Sequence, residues 1–138
     1  MNSKKIISHN FDVIANFDEF INAKDDELSF PLSISKLAIA SQTTTHTVRN
    51  YIVEGLLDCS EHTSGGYGLF DKCALNRLRF IRASRAAGLM VLDIKPVLIA
   101  LNDNDEQAYQ DAINVLHTKV SQKMTYLSSL ESRLTDLK

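Results

Sequence analysis

The sequence lacks any apolar run approaching the ~18 residues that a membrane-spanning helix needs. Its first residues also lack the apolar stretch of a secretory signal. It has only two cysteines, which suits a reducing compartment. We therefore expect a cytoplasmic protein with no membrane partner. At 138 residues, of which 44% are apolar and 23% charged, the chain can form about one globular domain plus an accessory element.

The sequence also lacks the residue patterns of an active site. It contains no Ser/His/Asp constellation, no paired carboxylates and no phosphate-binding loop. Its adjacent glycines, Gly65 and Gly66, lie in a predicted hairpin rather than between a strand and a helix. We therefore expect no enzymatic activity, no catalytic residue and no cofactor.

Charge is unevenly distributed along the chain, although the formal net charge is only −2. Residues 32–88 carry seven Lys and Arg against four acidic residues, whereas the first 31 residues and the last 50 are both net acidic. The low net charge argues at first against nucleic acid, but a locally basic segment is what phosphate contact requires. The middle of the chain is therefore the candidate region for an anionic partner.

Two short helices joined by a polar turn are predicted between residues 33 and 57. Ser33 is the expected N-cap of the first helix and Thr44 that of the second, which ends at Gly55. The second helix should bury Val48 and Ile52. Its polar and basic positions should point outward: Thr45, His46, Arg49 and Tyr51. This pattern is typical of a helix-turn-helix.

A glycine-rich stretch, TSGGYGLF, follows and predicts a hairpin, because Gly65 and Gly66 permit the positive φ of a tight turn. Beside a helix-turn-helix, such a ribbon is a wing along the DNA backbone, although a purely stabilising hairpin would look similar. Asp71 should cap the next helix, which ends at Gly88. That helix is rich in arginines, which either reach phosphates or form solvated surface: Arg77, Arg79, Arg82 and Arg85.

Residues 1–31 are predicted to form a separate amphipathic extension. Its apolar positions approximate a helical stripe: Ile7, Phe11, Ile14, Phe17, Phe20 and Ile21. The extension either covers a surface of its own domain or dimer mate, or docks a partner protein. Amphipathic terminal helices usually pack on their own protein, which favours the first interpretation.

A short helix should begin near Asp93, which would place Pro96 in its first turn, and Asp103 should cap the last helix in a capping box with Glu106. Apolar residues then recur at heptad positions, interrupted by Lys123: Ile113, Leu116, Val120, Leu127, Leu130, Leu134 and Leu137. A single chain has no second copy to bury this seam. We therefore predict a DNA-binding domain over residues 32–102 and an antiparallel coiled-coil dimerisation helix over residues 103–138.

The MerR family of bacterial transcription regulators has a first helix like SIxxLA, a second like SxxTxRYYexxGLL and a wing like NGYRxY. Residues 33–138 resemble this family in order and spacing. The string TSGGYGLFD followed by ALNRLRFIRA is most similar to the MerD-type secondary regulators of mercury-resistance operons. The matching positions are Ser33-Ile34, Leu37-Ala38, Thr44, Thr47, Arg49-Asn50-Tyr51, Gly55-Leu56-Leu57, Gly65 to Phe70, Asp71, Leu75, Leu78, Ile81 and Gly88.

The resemblance implies a mostly α fold with a winged helix-turn-helix, followed by a long dimerisation helix. It places the second helix in the major groove of double-stranded promoter DNA, with Thr45, His46 and Arg49 as the readers. Tyr51 and Tyr67 would lie near DNA phosphates, where they would position the protein on the duplex without recognising its sequence. The predicted DNA-binding set is Thr44, Thr45, His46, Arg49, Tyr51 and Tyr67.

Two departures from the family pattern bear on function. Gly68 replaces the wing arginine of typical activators, which removes one charge-assisted phosphate contact. The family's mercury sensors carry a cysteine at the start of the dimerisation helix, where this chain has only Asn and Asp, and two more in a loop after it, before which this chain ends. Cys59 and Cys73 could in principle hold a soft two-coordinate ion. They are separated by a hairpin, with no histidine in a spacing motif, so we predict no metal site.

The favoured interpretation is a homodimeric regulator or co-regulator without its own effector domain, which lowers transcription. It would occupy an operator or associate with a MerR-type activator or RNA polymerase at the same promoter. The alternative is a self-sufficient activator that distorts promoter DNA in response to a ligand. A protein–protein adaptor that has lost DNA binding is a third possibility, but it would not need the retained Arg49 and Tyr51.

Overall fold

The computed structural model describes residues 13–138, which are mainly helical. The elements are α1 (Phe17–Ile21), β1 (Leu32–Ser33), α2 (Ile34–Ala40), α3 (Thr45–Val53), β2 (Glu61–His62), β3 (Gly68–Phe70), α4 (Lys72–Ala86), α5 (Val91–Asn102) and α6 (Glu106–Leu134). The chain divides into two compact units, one ending at Val91 and the other spanning Leu92–Lys138. The boundaries expected after residues 31 and 102 stay predictions.

The mostly α architecture with a wing and a long C-terminal helix is confirmed. The wing is a three-stranded antiparallel sheet in the order β1-β3-β2 rather than a simple hairpin. Leu32 pairs with Phe70, and Glu61 pairs with Leu69. The sequence did not predict β1, because a strand of two residues is too short to show any alternation. The extra strand ties the start of α2 to the wing.

Local capping chemistry fixes the helix ends in the first unit. The side chains of Ser33, Thr44 and Asp71 accept hydrogen bonds from backbone amides three residues on, as predicted. Gly55 and Gly88 follow α3 and α4 with φ of 77° and 97°, which a residue with a Cβ adopts at a cost. The core between these ends includes the completely buried Leu37, Val48, Leu75, Leu78 and Ile81.

The N-terminal extension is ordered over its described part and packs on its own domain. Helix α1 contacts α4, and Phe20 is buried, while Ile21 remains exposed. Helix α1 has only five residues, so the predicted stripe is not one continuous helix over the described positions. Two of its predicted members, Ile7 and Phe11, lie outside the described residues.

The second unit contains most of α5 and all of α6. Helix α5 begins at Val91, so the prediction that Pro96 lies in its first turn is wrong: proline is the sixth residue. Pro96 is exposed, and because it has no amide hydrogen it cannot donate the usual helical bond to the carbonyl of Leu92. Within this unit, Lys119 Nζ forms an ion pair with Asp93 Oδ1 at 2.7 Å.

Helix α6 begins and ends differently from its predicted bounds. Its N-cap is Asp105, which accepts from the Ala108 amide at 3.0 Å, so the Asp103 capping box is wrong. Asn104 adopts a left-handed φ of 52°, which separates Asp103 from the helix. The helix ends at Leu134, so Leu137 is not a helical seam position. No helix within residues 13–138 is long and apolar enough to span a membrane.

Candidate nucleic-acid interface

Helix α3 presents a polar face to solvent, as expected for a recognition helix. His46, Arg49 and Asn50 are exposed, and Thr45 is half-buried. Arg49 Nη1 donates to Thr45 Oγ1 at 3.4 Å, and Asn50 Nδ2 lies 3.4 Å from His46 Nε2. Both pairs are four residues apart, so they run in parallel along the helix surface. Because both contacts are long, the side chains can exchange them for base edges.

Two residues of this face were missed by the sequence analysis. Asn50 is exposed beside His46, and an amide side chain matches the donor–acceptor pattern of adenine. Val53 is 86% exposed at the end of the helix, where an apolar side chain could contact a thymine methyl group. The sequence did contain a signal for both residues. Val53 follows Arg49 by four positions and Asn50 follows His46 by four, so helical spacing places each on the same face as a predicted reader.

Thr44 is the N-cap of α3 and stabilises the first turn of that helix. Its Oγ1 accepts from the Thr47 amide at 3.1 Å and lies 3.0 Å from Thr47 Oγ1. The hydroxyl is therefore engaged in holding the first turn of α3. Thr44 sets where Thr45 and His46 begin the helix, and a direct DNA contact by Thr44 stays a prediction.

The predicted outward orientation of Tyr51 is wrong. Its side chain is only 8% exposed and belongs to the core with Val48, whereas Ile52 is only partly buried. The physical reason is helical spacing, since residues three apart lie on the same face. A phosphate contact by Tyr51 remains a prediction, and it would have to use the small accessible part of the side chain.

The wing presents Tyr67 as its most prominent aromatic residue. Tyr67 is 76% exposed, next to Gly66, which turns the chain with φ of 87°. The Tyr67 amide donates to Thr63 Oγ1 at 3.1 Å, which holds the tip of the turn. The phenol is therefore accessible from solvent, and its contact with a backbone phosphate stays a prediction.

A cleft of about 700 Å³ separates α3 from the wing. Arg49 and Ile52 line its helical side, and Cys59, His62 and Tyr67 line its wing side. At its floor, Gly68 makes a close approach: a Cβ at this position would lie 3.3 Å from the Cys59 Cβ. A side chain at this position would therefore require Cys59 to shift by a few tenths of an ångström.

Cys59 has a histidine neighbour that the sequence analysis did not identify. Its Sγ lies 3.5 Å from His62 Nε2. The spacing of three residues between Cys59 and His62 was visible in the sequence, and the prediction that no histidine forms a spacing motif with the cysteines overlooked it. Among the residues that the structure describes, no three His, Cys, Asp or Glu side chains cluster as a metal site would require. Cys59 and Cys73 are both free thiols.

Two of the four arginines of α4, Arg79 and Arg82, are bound within the fold rather than forming the expected phosphate contacts or solvated surface. Arg82 is 4% exposed and donates to the backbone carbonyls of Ser41 and Gln42 at 3.2 and 2.6 Å. Arg79 is partly buried, donates to the Ala40 carbonyl at 3.3 Å and pairs with Asp25. These two guanidinium groups hold the connection between α2 and α3.

The exposed positive charge of the first unit is therefore smaller than its composition indicates. Its fully exposed basic side chains after residue 31 are Lys36, Arg49 and Lys72. Only Arg49 of these lies on α3. A surface with few free cations makes few phosphate contacts, so its affinity should depend more on shape and base contacts than on counterion release.

The predicted dimerisation seam divides into a covered and an uncovered half. Leu116 is buried and Ile113 is half-buried within the chain. Beyond them the seam is open to solvent, with the exposed fractions 37% for Val120, 61% for Leu127, 55% for Leu130 and 59% for Leu134. The helix of 29 residues thus carries a row of exposed apolar residues, and the dimerisation assigned to them stays a prediction.

Comparison with known proteins agrees with this geometry. Residues 32–101 match the family described as MerR HTH family regulatory protein, and residues 75–137 match the family described as MerR, DNA binding. The chain is 38% identical over 102 residues to the HTH-type transcriptional regulator MerD of Acinetobacter calcoaceticus, covering 74% of this chain and 84% of that protein. It is 40% identical over 106 residues to MerD of Pseudomonas aeruginosa, covering 75% and 86%.

Solved structures share the fold. A MerR family transcriptional regulator from Listeria monocytogenes superposes with a TM-score of 0.68 at 20% identity, covering 75% of this chain and 80% of that one. HiNmlR, described as a MerR family regulator lacking the sensor domain and bound to promoter DNA, gives a TM-score of 0.55 at 21% identity, covering 77% and 89%.

Proposed function

The chain belongs to the MerR family of DNA-binding transcriptional regulators and is MerD-like, and from this membership we propose that it acts as a homodimer that lowers transcription from its promoter. The observation that carries the proposal is the exposed face of α3, where Thr45, His46 and Arg49 lie together. Family membership makes the chain a regulator rather than an enzyme.

In the proposed complex, α3 lies in the major groove and Arg49 reads a base. A guanidinium fits the two acceptors of guanine, and here it is restrained only by a 3.4 Å contact to Thr45. Tyr67 on the wing would contact the adjacent backbone. HiNmlR, which shares the fold, is described as bound to promoter DNA, and this supports the same docking for the present chain.

Dimerisation would bring two copies of α3 to two half-sites. The open seam from Val120 to Leu134 supports a coiled coil with a second copy, since a single chain leaves these side chains in water. Lys123 interrupts the seam and would set its register. The dimer would therefore recognise an inverted repeat.

The proposed lowering of transcription is supported by the small number of basic side chains that this domain offers to DNA phosphates. Gly68 stands where typical activators carry a wing arginine, and the exposed basic side chains of residues 32–91 are Lys36, Arg49 and Lys72. A regulator that holds the promoter less firmly is suited to modulate rather than to drive DNA distortion. Association with a MerR-type activator or RNA polymerase at the same promoter would supply the missing affinity.

The test begins by selecting an operator from a pool of random duplexes with the purified protein. Fluorescence anisotropy across a salt series then compares the selected duplex with a shuffled one. We expect Arg49→Ala to weaken selective binding by about 1–3 kcal/mol, or about 5- to 150-fold. Arg133→Ala, which removes an exposed arginine from α6, should leave the affinity unchanged. An equal loss in both variants, or none in Arg49→Ala, would contradict the assignment.

Transcription in vitro separates the proposed direction of regulation from its alternative. With RNA polymerase and a template bearing the selected operator, added protein should lower transcript yield, with or without a MerR-type activator. A rise in transcript from the protein alone would favour a self-sufficient activator instead. No selective binding to any duplex would leave the adaptor interpretation.

A further inference from the structure

We propose that residues 13–27, called here the strap, hold the recognition helix α3 in its DNA-reading position, with Gln42 as the positioning residue. The strap belongs to the N-terminal extension, outside the family match over residues 32–101. The proposal rests on the proposed function only where it concerns DNA readout. The restraint on α3 itself follows from contacts within the first unit.

Gln42 lies in the turn between α2 and α3 and binds the strap with both ends of its amide. Its Oε1 accepts from the Ala15 backbone amide at 2.8 Å, and its Nε2 donates to the Ala15 carbonyl at 3.2 Å. The side-chain amide thus forms hydrogen bonds with both backbone polar groups of Ala15, as a residue of a neighbouring β-strand would. Gln42 adopts a left-handed φ of 50°, so the turn is fixed in an uncommon conformation.

Arg82 joins the same two segments from the core side. Its Nη2 donates to the Gln42 carbonyl at 2.6 Å and lies 3.4 Å from the Val13 carbonyl, and its Nε donates to the Ser41 carbonyl at 3.2 Å. One buried guanidinium therefore binds both the turn and the strap. A planar group with fixed donors restrains the relative position of its acceptors.

The other end of the strap is attached to the same connection through Arg79. This side chain pairs with Asp25, lies 5.5 Å over the Phe20 ring, and donates to the Ala40 carbonyl at the end of α2. The pair is shielded from water, since the side chain of Arg79 is 13% exposed and that of Asp25 is 3% exposed, and loss of either partner would leave a buried charge. Both ends of the strap therefore converge on residues 40–42.

Residues 40–42 set the start of α3, because Thr44 caps the helix only two residues later. Thr45 and His46 occupy its first turn, so a shift of the turn moves both candidate readers. Readers must be held within a fraction of an ångström to match base edges. The strap is therefore coupled to DNA readout, and by reciprocity operator DNA should strengthen the docking of the strap.

The experiment uses the full chain with Gln42→Gly, which keeps the left-handed backbone and removes the amide. Asn104→Gly is the matched control, since Asn104 is exposed, has φ of 52° and lies in the other unit. Hydrogen exchange without DNA follows the Ala15 amide and residues 45–53. Anisotropy then measures binding to the selected operator and to shuffled DNA.

We expect Gln42→Gly to speed exchange at Ala15 and in the first turn of α3 by about tenfold, the equivalent of one lost hydrogen bond. Affinity for the operator should fall about 5- to 10-fold, while affinity for shuffled DNA and the salt slope stay the same. In the wild type, operator DNA should slow exchange at Ala15. Asn104→Gly should change none of these quantities.

Unchanged exchange over residues 45–53 in Gln42→Gly would overturn the proposal. Equal losses on operator and shuffled DNA would overturn it too, since Gln42 would then contact phosphate rather than position α3. Absence of selective binding by the wild type would reject the proposed function instead. The exchange result in DNA-free protein would still decide whether the strap restrains α3.

Discussion

Replacing Arg82 with methionine is the sharpest test of what holds the helix-turn-helix together. The substitution keeps most of the apolar length of the side chain and removes the guanidinium. Arg82 is 4% exposed, and the Ser41 carbonyl that it binds would lose a partner in a place that water reaches poorly. The contact with the Gln42 carbonyl is only partly buried, so water can replace part of that loss. The perturbation is therefore confined to hydrogen bonding, with little change in packed volume.

The magnitude follows from the two shorter contacts. A hydrogen bond to a charged donor contributes about 1.5–3 kcal/mol, and an abandoned buried acceptor costs about 1–3 kcal/mol. Removing the guanidinium also removes the cost of burying its charge, which offsets part of the loss. We expect a net decrease of about 2–4 kcal/mol in the free energy of unfolding, a large share of the usual stability of a domain.

Urea unfolding followed by circular dichroism measures this decrease, at one protein concentration because dimerisation contributes to apparent stability. The midpoint should fall by about 1–2 M. Arg133→Met, an exposed arginine of α6, should change the free energy by less than about 0.5 kcal/mol. Arg82→Lys should recover only part of the loss, since one ammonium cannot reproduce the planar fork. A decrease below about 0.5 kcal/mol in Arg82→Met would refute the reasoning.

Two further predictions concern the dimer and the wing. Leu130→Asp places a charge in the open seam and should raise the dimer dissociation constant at least about 100-fold, as measured by analytical ultracentrifugation. Ser129→Asp, on the other face of the helix, should leave the dissociation constant unchanged. A monomeric wild type would contradict the coiled coil. Gly68→Ala should lower the free energy of unfolding by about 1 kcal/mol, because the new Cβ would lie 3.3 Å from Cys59 Cβ. Gly65→Ala is the control, since the atoms nearest to its new Cβ belong to the Tyr67 ring, which is 76% exposed and can turn away, and an equal loss in both variants would contradict the steric explanation.

Features that depend on neighbours in sequence were predictable. Ser33, Thr44 and Asp71 all cap helices as expected, because a cap requires only a polar side chain and an amide three residues away. The position of Asp105 shows the limit of this reasoning. Asp103 and Asp105 carry the same side chain, and only the left-handed backbone of Asn104 decides between them.

Features that depend on distant segments could not be predicted. The sequence shows Arg79 and Arg82 as two charges on a helix, and nothing local indicates the carbonyls of residues 40–42 that they bind. The candidate site shares this limit. The outward positions of His46 and Arg49 followed from helical spacing, whereas the cleft beneath the wing requires the pairing of β1 with β3.

The attachment of the strap has a consequence for synthesis on the ribosome. The Val13 carbonyl and the Arg82 guanidinium are 69 residues apart in sequence, so the strap is translated long before its partner exists. At about 5–20 residues per second the delay is about 3–14 s. During this interval Phe20 has no helix α4 to cover it. The nascent chain therefore exposes an aromatic segment that a chaperone can bind. The strap can contact the turn before α3 in its final arrangement only after α4 has emerged.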